Sequence, residues 1–357
     1  MLFVDKHRPK SLSELHYHDG LSERLISLAA HEDLPHMLFY GPSGAGKKTR
    51  VMCLLRELFG PGVTKLKVDQ RVFLTPSRRK VDVNIVSSNY HLELTPSDAG
   101  NYDRLVIQDI LKEIAQTQTV DIAARHRFKA VVINEADALS RDAQSALRRT
   151  MEKYMGNLRL ILCANSTSKI IAPIRSRCLL MRVGAPNLAE MGTVLRFVAQ
   201  KERFAVSDSA VERIYADSKG NMRKALLVLE ALRMQSSSGA KELSGDNISI
   251  AAPDWETYAH ATADAIIKTQ TPEQLLVVRG MLYELLVHCI PPSLILKTIL
   301  ERLVVRVDDV IRPSLVEKAA MFDVRCRTGS KTIFHLEAFA AHAMHIIKSN
   351  TLSIDWE

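Results

Sequence analysis

Short apolar runs alternate with helix-period stripes along the first half of the chain. Leu38-Phe39-Tyr40 runs into the glycine-rich segment 41–46, after which Thr49 to Leu58 continues at helical spacing. A strand, a tight loop and a helix in that order open a parallel α/β sheet. Ala130-Val131-Val132-Ile133 and Leu160-Ile161-Leu162-Cys163-Ala164 are unbroken apolar runs, the pattern of strands covered on both faces. Leu179 to Val183 predicts a last strand. Three β-rich runs, Val63 to Val68, Val81 to Val86 and His91 to Leu94, predict a hairpin insertion around Thr75-Pro76-Ser77. Helices are expected over Asp103 to Gln116, with Val106, Ile110, Leu111 and Ile114 on one face, and over Ser140 to Tyr154. The second carries Ala143, Leu147, Thr150, Met151 and Tyr154 on its stripe, an Arg148–Glu152 ion pair at i,i+4, and Gly156 as its stop.

The second half reads as helix throughout. Pro186 marks a linker, helical patterning runs from Leu188 to about Arg233, and Gln235-Ser236-Ser237-Ser238-Gly239 is a polar loop or hinge. Beyond Pro253 the pattern is helical to the end. Thr271-Pro272-Glu273 starts one helix and Pro291-Pro292 stops it. A final helix from Thr332 to Ser349 gathers Leu336, Phe339, Ala340, Ala343, Met344 and Ile347 on an apolar face that needs a partner, either another subunit or the rest of its own core. These breaks divide the 357 residues into 1–185, 186–245 and 246–357, without an internal repeat.

Composition narrows the class. No apolar run approaches the roughly 20 residues of a membrane span, and the N-terminus is charged where a signal peptide would be apolar, so a soluble intracellular protein is expected. Cys53, Cys163, Cys178, Cys289 and Cys326 lack paired or metal-ligand spacing and read as reduced, mostly buried thiols. The net charge of +8 suits a polyanionic partner. Three clusters sharpen it, Arg78-Arg79-Lys80, Arg125-His126-Arg127 and Arg148-Arg149, each of which also fits a solvated face.

The chemistry concentrates at Gly41-Pro42-Ser43-Gly44-Ala45-Gly46-Lys47-Lys48-Thr49, a phosphate-binding loop with its glycines and first lysine in frame. Backbone N–H groups of such a loop cradle phosphates, its lysine reaches the β/γ oxygens, and the next hydroxyl ligates magnesium. Lys48 occupies that last position and cannot ligate a metal. Thr49 does not repair the loss, because one helical step turns a side chain by about 100°. The strand 130–133 then ends in Asn134-Glu135 where a Walker B strand ends in Asp-Glu, so the metal-supporting carboxylate is missing while Glu135 survives. With the cradle kept and the metal side lost twice, the chain is expected to hold ATP or ADP, to bind magnesium poorly, and to hydrolyse little or nothing.

Several further segments fall in a known order. Phe3-Val4-Asp5-Lys6-His7-Arg8-Pro9, Glu93-Leu94-Thr95-Pro96-Ser97-Asp98, the run Asp142 to Glu152, Ser176-Arg177-Cys178 and Gly220-Asn221-Met222-Arg223-Lys224-Ala225 together resemble the AAA+ clamp-loader family. Within it, Lys48 and Asn134 resemble the ATPase-degenerate small subunits of eukaryotic replication factor C. His7 departs from the usual tyrosine, and Thr95-Pro96 from Asn-Ala.

The resemblance implies a RecA-like AAA+ parallel-sheet domain, a small helical lid and an all-α collar. It implies that the segment with Val4, Arg8 and Pro9 wraps the adenine, that Asn165 is the sensor-1 residue, and that Arg223 reaches the phosphates from the lid. On sequence alone these last two are an ordinary strand-end Asn and helix Arg. Arg177, otherwise a surface arginine at a strand start, becomes an arginine finger acting on the next subunit's ATP. DNA contact would be to phosphates, with Arg104, Ser140 and Arg141 as candidates at helix starts. Implied partners are the other subunits of a hetero-pentamer, the sliding clamp (proliferating cell nuclear antigen) and primer–template DNA, in the nucleus. An autonomous ATPase, remodeller-like or helicase-like, and a purely structural scaffold are the alternatives.

Overall fold

The computed structural model describes residues 1–31, 33–74, 80–116, 128–154, 156–235, 242–243, 252–329 and 331–354. The chain divides into two compact units, Met1–Ile250 and Ala251–Glu357. The first begins with α1 (Phe3–Lys6), α2 (Asp19–Ala30), β1 (Met37–Tyr40), α3 (Lys47–Phe59), β2 (Lys67–Leu74), β3 (Lys80–Ser87) and β4 (His91–Leu94). It continues with α4 (Asp103–Gln116), β5 (Lys129–Ile133), α5 (Arg141–Lys153), β6 (Leu158–Ala164), α6 (Ala172–Arg175) and β7 (Leu179–Arg182). The strands lie in the order β2-β3-β4-β5-β6-β1-β7. β4, β5, β6, β1 and β7 run parallel, while β2 and β3 form an antiparallel hairpin joined to β4.

Alternation along each buried strand explains the unbroken apolar runs. Ala130 and Val132 of β5, with Ile161 and Cys163 of β6 and Phe39 of β1, pack beside Val51, Leu54 and Leu58 of α3. Val131, Ile133, Leu160, Leu162 and Leu38 point to the other face and pack with Val106, Ile110 and Leu147 of α4 and α5. Period-two side chains thus serve two separate cores, and a polar residue on either face would be buried.

Three α-helices follow, α7 (Leu188–Lys201), α8 (Asp208–Ser218) and α9 (Met222–Gln235), with β8 (Ala205–Val206) pairing β9 (Glu242–Leu243) in a two-stranded parallel sheet. Asn187 and Glu190 form a capping box that starts α7 at the end of the Pro186 linker. Met191, Leu195, Val198, Ile214, Ala225 and Leu229 build the core of this helical part, which also takes in Tyr17.

The second unit comprises α10 (Asp254–Lys268), α11 (Pro272–Val287), α12 (Pro292–Arg306), α13 (Arg312–Thr328) and α14 (Thr332–Ile354). The apolar face of α14 finds its partner inside this unit. Leu336, Phe339, Ala340, Ala343 and Met344 are buried in one core with Leu282, Leu303, Leu315 and Phe322, and Ile347 packs at its margin.

Several expectations are corrected. Val63 to Val68 is not a strand: residues 61–64 form a 3-10 turn opened by Pro61, and β2 begins at Lys67. Helix α5, by contrast, keeps its expected extent, with Ser140 as N-cap and Tyr154 as C-cap just before Gly156. Pro291-Pro292 does not stop α11, which ends at Val287 followed by Cys289 at φ 58; Pro292 opens α12 instead, supplying the fixed φ of a first helical turn. The span 188–233 is broken twice, at Arg203 (φ 60) and Lys219 (φ 49), where left-handed residues end helices. Glu152 pairs with Arg177 at 2.6 Å rather than with Arg148. Thr75-Pro76-Ser77, Arg78-Arg79, Arg125-His126-Arg127 and most of the 235–239 segment lie outside the described residues.

One buried carboxylate ties two helix starts together. Asp103, 1% exposed, accepts from the Arg104 amide at 2.7 Å, the Ser140 amide at 2.7 Å and the Ser140 hydroxyl at 2.8 Å. The Ser140 hydroxyl in turn caps α5 by accepting from the Ala143 amide. Each buried donor left unsatisfied costs about 1–3 kcal/mol. Asp103→Ala is therefore expected to lower the unfolding free energy by about 2–4 kcal/mol in urea denaturation followed by circular dichroism; a loss below about 0.5 kcal/mol would show that water replaces the carboxylate.

Candidate functional site

The carboxyl ends of β1, β5 and β6 meet at one cavity of about 560 Å³. Open parallel sheets bind ligands at this edge, where strand ends release loops. The loop after β1 turns into α3 through Gly46 at φ 84. A Cβ there would stand 2.3 Å from the Tyr17 hydroxyl, and one on Gly44 would meet the Asn221 amide at 1.7 Å, so both positions require glycine. Tyr17 secures the loop from behind by donating to the Ala45 carbonyl at 3.0 Å.

Lys47 crosses the loop. Its ammonium donates to the carbonyls of Gly41 at 2.7 Å and Pro42 at 2.9 Å and to Asn165 Oδ1 at 2.9 Å, which joins the loop to the end of β6. Burial holds Lys47 below the usual lysine value; Cys163 and Asp137 oppose that shift and the charge of Arg223 adds to it. Arg223, in the first turn of α9, lines the same cavity. Two cations facing one space make it favourable for phosphate and unfavourable for another cation.

The N-terminal segment bridges the helical part to α3. The Phe3 amide donates to Glu230 at 3.0 Å, His7 Nε2 lies 2.5 Å from Glu202, and Lys6 pairs with the same carboxylate at 2.6 Å. These partners hold Glu202 below the usual carboxylate range. At the other end, Arg8 Nε donates to the Thr49 hydroxyl at 3.3 Å, and Cys53 to the Pro9 carbonyl at 3.5 Å. Thr49 is thus engaged with the N-terminal segment, in keeping with its turn away from the Lys48 position.

The position expected to ligate magnesium holds a lysine paired with a buried acid. Lys48 Nζ lies 2.6 Å from Glu93 Oε2, and the Glu93 side chain is 5% exposed. Asn134 lines the cavity beside them. Glu135 is exposed, at φ 51, with Ser97 donating to it at 3.5 Å. Asp137 lines the cavity and acts on Lys47.

The expected residues fall into three groups. Val4, Arg8, Pro9, Ser43, Gly44, Gly46, Lys47, Lys48, Thr49, Glu135, Asn165 and Arg223 line the cavity. Gly41, Pro42 and Ala45 shape the loop without lining it, the first two through the carbonyls that receive Lys47. Arg177 is not among the lining residues: it is 38% exposed, donating to the Pro173 carbonyl at 2.7 Å and to Glu152 at 2.6 Å. Arg104 and Arg141 are exposed beside Ser140, where α4 and α5 begin.

Sequence reading missed Tyr17, Arg50, Glu93 as the partner of Lys48, and the apolar wall formed by Val194, Phe197 and Leu226. Arg50 is fully buried in α3, donating to the Tyr17 carbonyl at 2.7 Å and Ser22 at 3.1 Å with its guanidinium 4.8 Å from the Tyr17 ring centre. Its only signal was a charge on an otherwise apolar helix face.

Burial pushes Cys53 up to about 11 and Cys163, on the cavity wall, up to about 12. Cys178 is also pushed up to about 12, while Cys289 is exposed. Each step of one in pKa cuts the thiolate fraction tenfold. Maleimide at neutral pH is expected to modify Cys289 roughly 100-fold faster than Cys53, Cys163 or Cys178, read by peptide mass spectrometry; equal rates would mean that the first unit opens readily.

Three family models match in succession. They are described as DNA polymerase III, delta subunit (residues 17–187), RCF1/5-like, AAA+ ATPase lid domain (193–234) and Replication factor C subunit 3, C-terminal domain (255–351). Replication factor C subunit 5 of Neurospora crassa is 55% identical over 354 residues, covering 99% of both chains. Replication factor C subunit 3 of Mus musculus is 49% identical over 347 residues, covering 97% of this chain and 96% of that protein. Among solved structures, the RuvB Holliday junction branch migration motor of Thermotoga maritima superposes with a TM-score of 0.52 at 18% identity, covering 78% of this chain and 85% of that one, a likeness of fold alone.

Proposed function

Since the chain belongs to the AAA+ clamp-loader family, among the replication factor C small subunits, we propose that it works in a nuclear hetero-pentamer that loads the sliding clamp, proliferating cell nuclear antigen, onto primer–template DNA. In this reading the chain holds ATP or ADP in its own pocket, hydrolyses it little or not at all, and supplies Arg177 to the ATP of a neighbouring subunit. The domains are taken as 1–185, a lid 186–245 and a collar 246–357.

The observation that carries the reading is a separation. Lys47, Asn165 and Arg223 converge on the cavity, whereas Arg177 is held at the surface by Glu152 and is not among the lining residues. An arginine that stabilises transferring phosphate is worth roughly 10³–10⁵ in rate. Releasing an exposed Arg–Glu pair costs only about 0–1 kcal/mol, so Glu152 can park Arg177 without preventing its transfer to an adjacent active site. At the two positions where a Walker motif offers magnesium a hydroxyl and an aspartate, the pocket holds Lys48, paired with Glu93, and the neutral Asn134, while Glu135 and Asp137 stay on its wall.

The collar assembles through surfaces other than the stripe of α14, which its own core consumes. Exposed Val277, Val287, Val305, Val310 and Val324 are available in the second unit for that purpose. DNA backbone is met at the paired starts of α4 and α5 through the exposed side chains of Arg104 and Arg141, since the Arg104, Ser140 and Ala143 amides there are already bonded within the fold.

In the assembled complex, Arg177→Ala is expected to slow clamp-stimulated ATP turnover severalfold or more, because it disables a neighbour's site, while Lys47→Ala alters it by less than about twofold. The reverse pattern would refute the donor role, and no effect of Arg177→Ala would favour a structural scaffold. Phosphate release by the isolated chain would favour an autonomous ATPase. Arg104→Ala with Arg141→Ala is expected to weaken DNA binding by the complex equally across sequences and to flatten its salt dependence by about one charge per arginine, measured by fluorescence anisotropy.

A further inference from the structure

The two positions that would ligate magnesium do not fit it, and Glu135 and Asp137 remain as acids on the cavity wall, the latter acting on Lys47. The position that should offer a hydroxyl holds Lys48, the strand end that should offer a carboxylate holds Asn134, and Glu93, the buried acid behind them, is occupied by Lys48 at 2.6 Å. Among the described residues no three His, Cys, Asp or Glu side chains are placed to hold a metal ion. A divalent cation entering here would meet an ammonium.

The ion pair has the features of a permanent replacement. Glu93 is in β4, opposite Val132 in the register with β5, and its side chain is buried. Lys48 stands on the cavity wall, 43% exposed, immediately after the loop lysine. Lys48 lines the cavity and Glu93 does not, so the pair runs from the wall to the buried side chain of β4. An ammonium has three donors, and one partner leaves it the capacity to meet phosphate oxygens as well. Lys48 and Glu93 are neutral as a pair, so what Lys48 brings to the cavity is a directed ammonium donor where a metal would otherwise stand, not the metal's double charge.

We propose that the Lys48–Glu93 pair is a built-in substitute for magnesium, so that this pocket takes metal-free nucleotide and keeps it when magnesium is withdrawn. This rests on the nucleotide-binding reading above. Lys47 and Arg223 supply the net positive charge, Lys48 donates to phosphate oxygens from the place a metal would take, Glu93 fixes the direction of Lys48, and the absence of a metal requirement separates occupancy of this pocket from the magnesium-dependent chemistry of a neighbour.

Calorimetric titration of ADP and of ATP into the full-length chain, with excess magnesium and with excess EDTA, tests the inference. The wild-type dissociation constants are expected to agree within about twofold between the two buffers. Lys48→Met combined with Glu93→Gln, which removes both charges and leaves no buried acid unpaired, is expected to weaken binding in EDTA by about tenfold or more, and Lys48→Arg to retain it. Tightening of the wild type by magnesium of tenfold or more would overturn the substitution while leaving nucleotide binding intact. Unchanged binding by the double variant would likewise overturn it, reducing the pair to a structural strut. Binding in neither buffer would remove the nucleotide reading itself, and the inference with it. The wild-type comparison decides even if the double variant loses its circular dichroism spectrum.

Discussion

Lys47 is the point through which the first unit is organised. Its half-buried ammonium binds two loop carbonyls and the amide oxygen of Asn165, so the end of β1, the start of α3 and the end of β6 share a single charge. A cation held by neutral acceptors in a partly desolvated place is electrostatically incomplete, and burial lowers its affinity for its proton accordingly. Arg223 adds a second positive charge to the same space. Phosphate in that space would relieve both, in keeping with the proposed nucleotide site.

The N-terminal segment closes the same circuit by a different route. Glu202 and Glu230 fasten its first residues to the helical part, and Thr49 and Cys53 receive its far end on α3. Both ends of the segment are tied, and Leu2, Val4, Asp5, His7, Arg8 and Pro9 line the cavity between them. Beneath it, Tyr17 and the buried Arg50 brace the loop and helix from the protein interior. The Lys48–Glu93 pair belongs to this arrangement: exchanging a hydroxyl for Lys48 would leave an ammonium against the sheet unless an acid lay within reach, and Glu93 supplies it.

Much of the α/β order was readable because parallel strands buried on two faces must be apolar throughout, as in 130–133 and 160–164. The glycine loop was readable because its backbone geometry excludes side chains at Gly44 and Gly46. The expected strand at Val63 failed since Pro61 starts a tight turn that β propensity cannot override. Pro291-Pro292 misled for a related reason: proline both ends and begins helices, and a run of residues does not say which. Arg148 and Glu152 had the right spacing, yet Glu152 took Arg177, a residue 25 positions away, because contacts across elements compete with those along a helix.

Local sequence determined the strand, loop and helix order, the glycine loop, and the placing of a lysine at 48 and a neutral amide at 134, because each depends on backbone sterics or on the chemistry of one side chain. It could not determine what the substituted groups do. That Lys48 meets Glu93, that Arg177 is not among the lining residues of the cavity while Arg223 is, and that the apolar face of α14 is spent within its own unit are set by which strands and helices become neighbours. Charges and apolar faces act through space at a few ångströms, and only the folded chain brings residues 48 and 93, or 47 and 165, to that distance.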